Sequence, residues 1–360
     1  MNDDSYDQLA DALDRLPNGF PRTPSGVEIR IIKKAFTAEE AALAGRMSRT
    51  YETLEAISDR LGLSEATVKP LLKSLLPRGL IRRKHVEGLA MYRLGPFLVG
   101  WYEAMMGRLR HDREFAELFE QYLKEGGGDR ILAPRPGLLG VVPVRGSLKP
   151  EQLQGHEDID AHFARHERFS VIDCVCRLER NLVGGDCTMP MKCCGFTGLP
   201  PHTPLSEDVL DREQAIALFG KLEEQGLIHL GFYGFTSSAK SPQFVGCCNC
   251  CGDCCGVLRG TNDLGLAEGP QRSNHRAAIN LDSCIACGNC IERCQVNAIT
   301  EDADGMPELN LDRCIGCGSC VIGCAGEAIE MVPVSPGEWF DVPSSFEEWE
   351  EIRLRNLEAE

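Results

Sequence analysis

Apolar and polar positions alternate with helical spacing at the start of the chain. Residues 6–16 place their apolar side chains on one face, which predicts a short amphipathic helix. The stretch PNGFPRTPSG that follows is rich in proline and glycine and breaks this pattern. We therefore interpret residues 1–27 as a loosely docked N-terminal arm.

Three more helices and a hairpin are predicted by the pattern that follows the arm. The helices span residues 39–47, 53–61 and 65–76, with Gly62 in the turn before the third and Ser64 as its cap. The stretches PRGLIRRK and AMYRLG then predict two strands around residues 86–88. This order resembles the winged-helix domains of bacterial regulators, where a GLI strand commonly follows the recognition helix.

Helical periodicity continues over residues 97–125, so the winged-helix-like domain with its extension occupies residues 28–125. Three glycines at residues 126–128 mark the boundary to a middle domain, residues 129–270. Its apolar run ILAPRPGLLGVVPV predicts a strand, and helices are predicted over residues 152–168 and 211–225. His162 and His166 are one turn apart on the first of these helices, and we interpret them as a structural pair rather than a metal site.

One cysteine spacing occurs twice near the end of the chain. The text INLDSCIACGNC returns thirty residues later as LNLDRCIGCGSC. Each copy has the form Cys-x2-Cys-x2-Cys-x3-Cys, the spacing that wraps a [4Fe–4S] cluster. The cysteines are Cys284, Cys287, Cys290 and Cys294 in the first copy, and Cys314, Cys317, Cys320 and Cys324 in the second. Two [4Fe–4S] clusters are therefore expected here.

This repeat resembles the bacterial dicluster ferredoxins over about residues 276–333. The resemblance implies crossed ligand sets, in which the fourth cysteine of each copy binds the other cluster. One set is then Cys284, Cys287, Cys290 and Cys324, and the other is Cys314, Cys317, Cys320 and Cys294. The proline that usually follows each fourth cysteine is replaced by Gln295 and Ala325. This change removes no ligand.

Disulfides and zinc are the alternatives for these eight cysteines. Dense disulfides belong to small secreted chains, whereas the start MNDDSYDQLADALDRL has no apolar signal core. Zinc sites usually take two cysteine pairs with a longer spacer. Iron–sulfur binding is the interpretation that the spacing favours, and it places the protein in the cytoplasm of an anaerobic or microaerobic microbe.

A second group of cysteines lies in the middle domain. The sequence alone does not assign these cysteines to particular metal sites. Two further [4Fe–4S] clusters, zinc knuckles or a redox-active dithiol are the alternatives. One grouping for two clusters takes Cys174, Cys176, Cys187 and Cys193 for the first, and four of Cys248, Cys250, Cys251, Cys254 and Cys255 for the second. Cys194 and Cys247 complete the field.

The whole plan resembles a family of 4Fe-4S binding proteins of anaerobes with a winged-helix-like head. The features that carry this resemblance are the VVPV strand at residues 141–144, the Cys-x-Cys-Arg motif at residues 174–177, the CNCC-type run at residues 248–255 and the C-terminal repeat. The resemblance implies an α+β multidomain protein that transfers electrons: a winged-helix-like domain, a cysteine-rich middle domain and a ferredoxin-type dicluster domain. An acidic helical tail, residues 334–360, follows, with Ser345 and Glu348 as a capping box.

The net charge of −16 is unevenly distributed. Residues 28–96 contain thirteen Lys and Arg against eight Asp and Glu, a net charge of +5, while residues 261–360 contain six against nineteen, a net charge of −13.

Basic residues of the head that could contact DNA phosphates are Lys69, Lys73, Arg78, Arg82, Arg83 and Lys84. Pro70 in the middle of the third helix counts against DNA binding, because an interior proline kinks a helix.

Three functions remain in competition. The first is an electron carrier, or the electron-transfer subunit of a cytoplasmic oxidoreductase, whose donor and acceptor are partner proteins because no GxGxxG or Walker loop is evident. The second is an iron–sulfur redox-sensing winged-helix regulator. The third is a reductase with its site in the CNCCGDCC region, assisted by Arg177 and Asp253. No apolar run has the length of a membrane span.

Overall fold

The computed structural model describes residues 3–153, 155–233, 244–266 and 268–359 of the 360-residue chain. It divides into two compact units. Unit 1 comprises Met1–Pro134, Leu178–Gly185 and Arg353–Glu360, and unit 2 comprises Arg135–Arg177 and Asp186–Ile352. Among the described residues, no helix combines the length and the apolar character that crossing a membrane requires.

Unit 1 is mostly helical with one small antiparallel sheet of order β1-β3-β2. Its elements are α1 (Asp3–Asp14), α2 (Val27–Ala35), α3 (Ala38–Ala44), β1 (Glu52–Thr53), α4 (Leu54–Leu61), α5 (Glu65–Leu75), β2 (Ile81–Val86), β3 (Leu89–Leu94), α6 (Tyr102–Arg108), α7 (Arg113–Tyr122) and α8 (Asp129–Leu132).

The N-terminal segment is packed and is not the loose arm that the sequence suggested. Leu9 and Phe20 are fully buried, and the Phe20 ring lies 4.6 Å from that of Phe97. The apolar face of α1 therefore belongs to the core of unit 1, since burial of an apolar side chain is favourable by about 1.5–3 kcal/mol.

The turn chemistry predicted between α4 and α5 is confirmed. Gly62 ends α4 in the left-handed conformation, with φ +65°, and the Ser64 hydroxyl accepts the N–H of Thr67 at 3.2 Å. Pro70 lies inside α5, as the sequence indicated. The β2–β3 hairpin turns through Glu87 and Gly88, both with positive φ, which matches the twist of a two-residue hairpin.

The continuous helix predicted over residues 97–125 is interrupted. Val99 has a φ of +54°, and the carboxylate of Glu103 accepts the N–H groups of Val99 and Gly100 ahead of α6. Asp112 then starts α7 by accepting the N–H of Phe115 at 3.0 Å. These local side-chain caps compete with a single long helix.

Unit 2 contains most of the strands, and its described residues form four small antiparallel sheets of order β4-β8-β9, β6-β5-β7, β10-β13 and β11-β12. Its elements, with two helices whose residues are shared with unit 1, are β4 (Leu139–Val142), α9 (Ile159–Ala164), β5 (Arg168–Asp173), α10 (Val175–Leu182), β6 (Lys192–Leu199), β7 (Val209–Asp211), α11 (Arg212–Glu224), β8 (Ile228–Tyr233), β9 (Phe244–Cys250), α12 (Gly256–Asn262), β10 (His275–Ile279), α13 (Asn289–Glu292), β11 (Ile299–Glu301), β12 (Pro307–Leu309), α14 (Ser319–Ile322), β13 (Ile329–Pro333) and α15 (Phe346–Ala359).

The helix predicted over residues 152–168 is wrong in its extent. Asp158 caps α9 by accepting the N–H of Ala161 at 3.0 Å, and the chain enters β5 at Arg168. Before α9, the Glu157 carboxylate accepts the backbone N–H of Asn274, so this part of the chain pairs across the fold instead of with itself. By contrast, α11 matches its prediction, with a capping box at Asp211 and Gly226 just past its end.

Candidate metal centres

Four of the repeat cysteines line one cavity close to the surface. These four, which we call the outer set, are Cys284, Cys287, Cys290 and Cys324. Cys287 is exposed, and its neighbour Ile285 keeps 62% of its surface accessible. The outer set combines the first three cysteines of one copy with the fourth of the other, which is the crossed grouping that the ferredoxin resemblance implied.

The other four repeat cysteines line a second, more deeply buried cavity. This inner set consists of Cys294, Cys314, Cys317 and Cys320. Apolar side chains enclose it, among them Ile299 and Met331, which are at most 4% exposed. Burial raises the pKa of the Cys317 thiol to about 12, so the free thiol stays protonated at neutral pH.

The two copies of the repeat share their backbone conformation. Left-handed residues recur thirty positions apart, at Ala286 and Gly316, Gly288 and Gly318, and Asn297 and Glu327. The N–H of Ala298 donates to the Cys294 sulfur at 3.1 Å, and that of Ala328 to the Cys324 sulfur at 3.2 Å. Four thiols around a cavity, with amide donors on sulfur, fit a [4Fe–4S] cluster, and ligation by these eight residues stays a prediction.

Three cysteines of the middle domain form a compact trio. The ligand atoms of Cys187, Cys251 and Cys254 all lie within 4.8 Å of one another. Cys251 and Cys254 are buried, whereas Cys187 is partly exposed. Cys187 was grouped with Cys174 from sequence, but the structure places it against Cys251, at 3.8 Å between sulfurs.

Seven other cysteines of the middle domain form a continuous string of sulfur contacts. The Cys194 and Cys248 sulfurs, for example, are 2.6 Å apart. In order of contact, the seven-thiol string runs Cys193, Cys174, Cys176, Cys255, Cys250, Cys248 and Cys194. The strand pair β8–β9 and the Cys194 end of β6 bring these distant residues together. Seven thiols exceed the four that one cluster requires.

Hydrogen bonds between neighbouring thiols make the pKa values alternate along the string. Bonds from adjacent thiols lower the pKa of Cys174, Cys255 and Cys248, to about 6 for Cys248. The intervening thiols donate these bonds, which raises their pKa; they are Cys193, Cys176, Cys250 and Cys194. The direction of the pKa shift therefore alternates from one thiol to the next along the string.

Arg177 connects the trio and the string. Its guanidinium donates to the Cys193 sulfur at 3.0 Å and to the Cys251 sulfur at 3.2 Å, and it also bonds the Pro190 carbonyl. The side chain is fully buried, and no carboxylate pairs with it in the described part of the chain. Burial alone would lower the pKa of Arg177, but the electrostatic attraction of Cys193, Cys174 and Cys251 raises it. Sulfur atoms therefore take the place of a carboxylate beside this cation.

Gln295 links the inner set to the middle cysteines. Its side-chain oxygen accepts the buried N–H of Gly252 at 2.7 Å, and its amide donates to the Gly226 carbonyl at 3.1 Å. Its own carbonyl accepts from the side chain of Asn262 at 2.9 Å. Gln295 directly follows Cys294, and Gly252 directly follows Cys251. The sequence showed the missing proline here but did not indicate this contact.

The other residues considered in the sequence analysis lie outside the trio and the string. Cys247 is buried, and its thiol lies against the Cys248 carbonyl at 3.6 Å instead of joining the string. His162 is buried, and its Nε2 bonds the Phe196 carbonyl at 2.9 Å, while its ring lies 5.7 Å from that of His166. Asp253 is exposed next to the trio in sequence.

Comparison with known proteins identifies the C-terminal segment alone. Residues 277–331 match the family model of the 4Fe-4S dicluster domain. No curated protein matches the chain. A solved structure titled "Crystal Structure of a transcriptional regulator" is 14% identical, with a TM-score of 0.20, over 33% of this chain and 77% of that one. So low a TM-score carries no argument about fold or function. The segment that contains the outer and inner sets is therefore similar to iron–sulfur dicluster domains.

Proposed function

We propose that the chain is an electron-transfer protein, or the electron-transfer subunit of a cytoplasmic oxidoreductase of an anaerobic microbe. The observation that carries this proposal is the order of the thiol sites in unit 2. The outer set is at the surface, the inner set is enclosed, and Gln295 connects the inner set to the cysteines of the middle domain. Such a series suits single-electron passage between a docked partner and a buried centre.

Each group of cysteines has enough thiols to bind an iron–sulfur cluster. The outer and inner sets would each bind one [4Fe–4S] cluster, which supplies one-electron redox chemistry when bound. The seven-thiol string would bind at least one further iron–sulfur cluster. The chain itself provides amide donors to sulfur, an apolar enclosure around the inner set and the cation of Arg177, all of which tune reduction potential.

A redox partner would dock at the exposed outer set. Ile285 and Leu281 are 62% and 52% exposed beside it. Two exposed carboxylates lie beside this small apolar patch, because Asp282 follows Leu281 in the chain and Glu301 lines the same cavity as Ile285. We infer that the partner presents basic residues around an apolar centre, since complementary charge accelerates association.

Iron and acid-labile sulfide on the anaerobically purified full chain test this function. Two clusters give about eight irons per chain, and a third in the string raises this to about twelve. Reductive titration followed by EPR is expected to show several low-potential signals. An iron-free protein after anaerobic reconstitution would refute the proposal, and eight irons would confine electron transfer to the C-terminal segment.

The exposed basic side chains of unit 1 favour a second function, a winged-helix regulator. Lys69 and Lys73 on α5 and Arg83 on β2 are exposed, and no carboxylate pairs with them in the described residues. We propose α5 as the recognition helix and the β2–β3 hairpin as the wing. Pro70 opposes this, because it removes one backbone donor from α5.

DNA binding would be measured with the cluster-loaded protein and its own promoter region. If unit 1 contacts phosphates, affinity falls as salt rises, and Lys69→Ala with Arg83→Ala lowers affinity on every sequence. The exposed Lys221→Ala in unit 2 serves as the matched control. Absent or salt-independent association would eliminate the regulator function and leave electron transfer untouched.

A further inference from the structure

The trio of Cys187, Cys251 and Cys254 differs in geometry from the ferredoxin-type sets. Its three ligand atoms lie within 4.8 Å of one another, and no other group of three or more His, Cys, Asp or Glu ligands in the described residues reaches this spacing. The outer and inner sets instead surround cavities. The eight repeat thiols are therefore arranged around two cavities, whereas the three thiols of the trio lie close to one another.

The spacing of the trio fits one metal ion. A zinc–sulfur bond of about 2.3 Å and tetrahedral angles place two thiolates on the same ion about 3.8 Å apart. The Cys187 and Cys251 sulfurs are 3.8 Å apart. In a cubane cluster each thiolate binds a different iron, so the sulfurs are spread more widely.

The trio supplies only three protein ligands. No fourth His, Cys, Asp or Glu within the described ranges joins it at this spacing. Zinc is almost always four-coordinate in proteins, and a site with three protein ligands leaves one position for water or substrate. Cys187 is partly exposed, so the site has a side that solvent reaches.

The adjacent cation accounts for the charge of such a site. Three thiolates and one divalent ion carry a net charge of about −1, and a buried anion of this kind needs a partner. The guanidinium of Arg177, fully buried, donates to the Cys251 sulfur at 3.2 Å. A bound exogenous thiolate would add one negative charge that the same cation attracts.

We propose that Cys187, Cys251 and Cys254 bind a single zinc ion whose fourth position is open to an exogenous thiolate. Soft thiolate ligands suit zinc, and a small thiol meets the same preference at the open position. On binding, the thiol loses its proton and its sulfur replaces water on the metal, with no change of oxidation state. Its three cysteines belong to neither the outer set, the inner set nor the seven-thiol string, so the zinc site does not rest on iron–sulfur binding by those cysteines.

Metal analysis of the full chain, purified anaerobically, tests the site. We expect about one zinc ion per chain beside the iron. Cys187→Ala is expected to lose the zinc and to keep its iron and acid-labile sulfide. Cys247→Ala, which alters a buried thiol outside the trio, is the matched control and should retain both metals. Loss of iron and sulfide from Cys187→Ala, with no zinc in the parent protein, would overturn the proposal.

Cobalt(II) in place of zinc tests the open position without any substitution. Thiolate-to-cobalt charge-transfer bands should report three cysteine ligands, and 2-mercaptoethanol should shift the ligand-field bands as its thiolate binds. A spectrum that is indifferent to 2-mercaptoethanol would show a closed site and refute the open position. Iron content and EPR, measured on the same samples, report separately on the electron-transfer proposal.

Discussion

Arg177 is a permanently charged side chain whose neighbours are sulfurs. It contacts the string through Cys193 and the trio through Cys251, and it is fully buried. A buried cation without counter-charge is very unfavourable, so its position requires thiolates or a negatively charged metal centre beside it.

Arg177→Leu tests this electrostatic role. Reduction adds negative charge, which the guanidinium stabilises, so its removal should make the midpoint potential of the middle-domain cluster more negative, by on the order of 100 mV for a charge at contact distance. Redox titration monitored by EPR provides the measurement. Arg177→Lys, which keeps the charge, should recover most of the shift, and equal shifts in both variants would contradict a charge effect.

His156 makes stability depend on pH in the weakly acidic range. Burial, and then the nearby His275, lower the pKa of His156 from 6.5 to about 4. The unfolded chain therefore takes up this proton at a higher pH than the folded chain. Stability from this residue is complete above pH 6.5 and is lost as the pH falls from 6.5 to about 4.

For His156→Gln, we expect a smaller loss of stability between pH 7 and pH 5 than in the parent protein, by about 2 kcal/mol. The thermal unfolding midpoint at matched scan rates measures it. The adjacent Glu157, whose pKa burial raises, acts in the opposite direction in both proteins and cancels from the difference. The exposed His202→Gln is the control, and equal pH dependence in all three proteins would exclude His156 as the cause.

Side-chain hydrogen bonds could be predicted from the sequence where the two partners are close in the chain. Ser64 caps its helix as predicted, because a cap acts over three residues, and Asp211 caps α11 in the same way. The final helix shows the limit: Glu348 donates its N–H to Ser345, but its carboxylate accepts from Ser344. Arg177 contacts Cys251 across 74 positions, and no local pattern encodes that distance.

At the scale of elements, the contact between the ferredoxin repeat and the β9–α12 turn depends on Gln295. Gly252 approaches the Gln295 carbonyl so closely that any side chain at this position would collide with it. The turn contains Cys251 and Cys254, so its position fixes the trio.

Gln295→Ala leaves the buried N–H of Gly252 without its acceptor, which costs about 1–3 kcal/mol. We expect a thermal midpoint several degrees lower and slower electron transfer between the inner set and the middle domain, followed by rapid-freeze EPR. The exposed Gln225→Ala should change neither. Parent-like behaviour of Gln295→Ala would exclude this contact as a link.

Elements with a strong period and clear end signals were predicted well, and those set by distant contacts were not. Helix α11 has both a capping box and a terminal glycine, and its predicted bounds agree with the structure. Residues 155–158 were predicted as helix but lie outside α9, and the Glu157 carboxylate there accepts the N–H of Asn274, far along the chain. Tertiary pairing overrides local propensity there.

At the scale of the whole molecule, charge is distributed unevenly along the chain. The acidic surface beside the outer set includes Asp282 and Glu292, both exposed. The chain carries −16 overall, with −13 of it in residues 261–360. This field attracts cations toward the outer set over about a Debye length, near 10 Å at 0.1 M salt.

The rate of electron transfer to a small acceptor should therefore depend on ionic strength, in a direction set by the charge of the acceptor. From the reduced protein, the rate to hexaammineruthenium(III) should fall several-fold as ionic strength rises, and the rate to ferricyanide should rise. Stopped-flow absorbance measures both. Asp282→Asn with Glu292→Gln should flatten both dependences, and identical slopes for the two acceptors would contradict electrons leaving through this face.

The crossed grouping of the C-terminal cysteines was implied by the resemblance to dicluster ferredoxins, and the same groups of four line the two cavities. The middle field was different: its cysteines come from α10, β6, β9 and the turns beside them, and only the fold decides which sulfurs meet. Cys187 illustrates this, since it joins Cys251 across 64 positions.

The contrast between exposed Cys287 and buried Cys320 has a practical consequence for handling the protein. With clusters bound as proposed, dioxygen would reach the outer set first, so brief aeration should damage the cluster that exchanges electrons with the partner while the enclosed cluster persists. A brown preparation would then still absorb visible light but exchange no electrons with its partner. Colour alone is therefore a poor guide to competence, and turnover with a partner is the safer criterion.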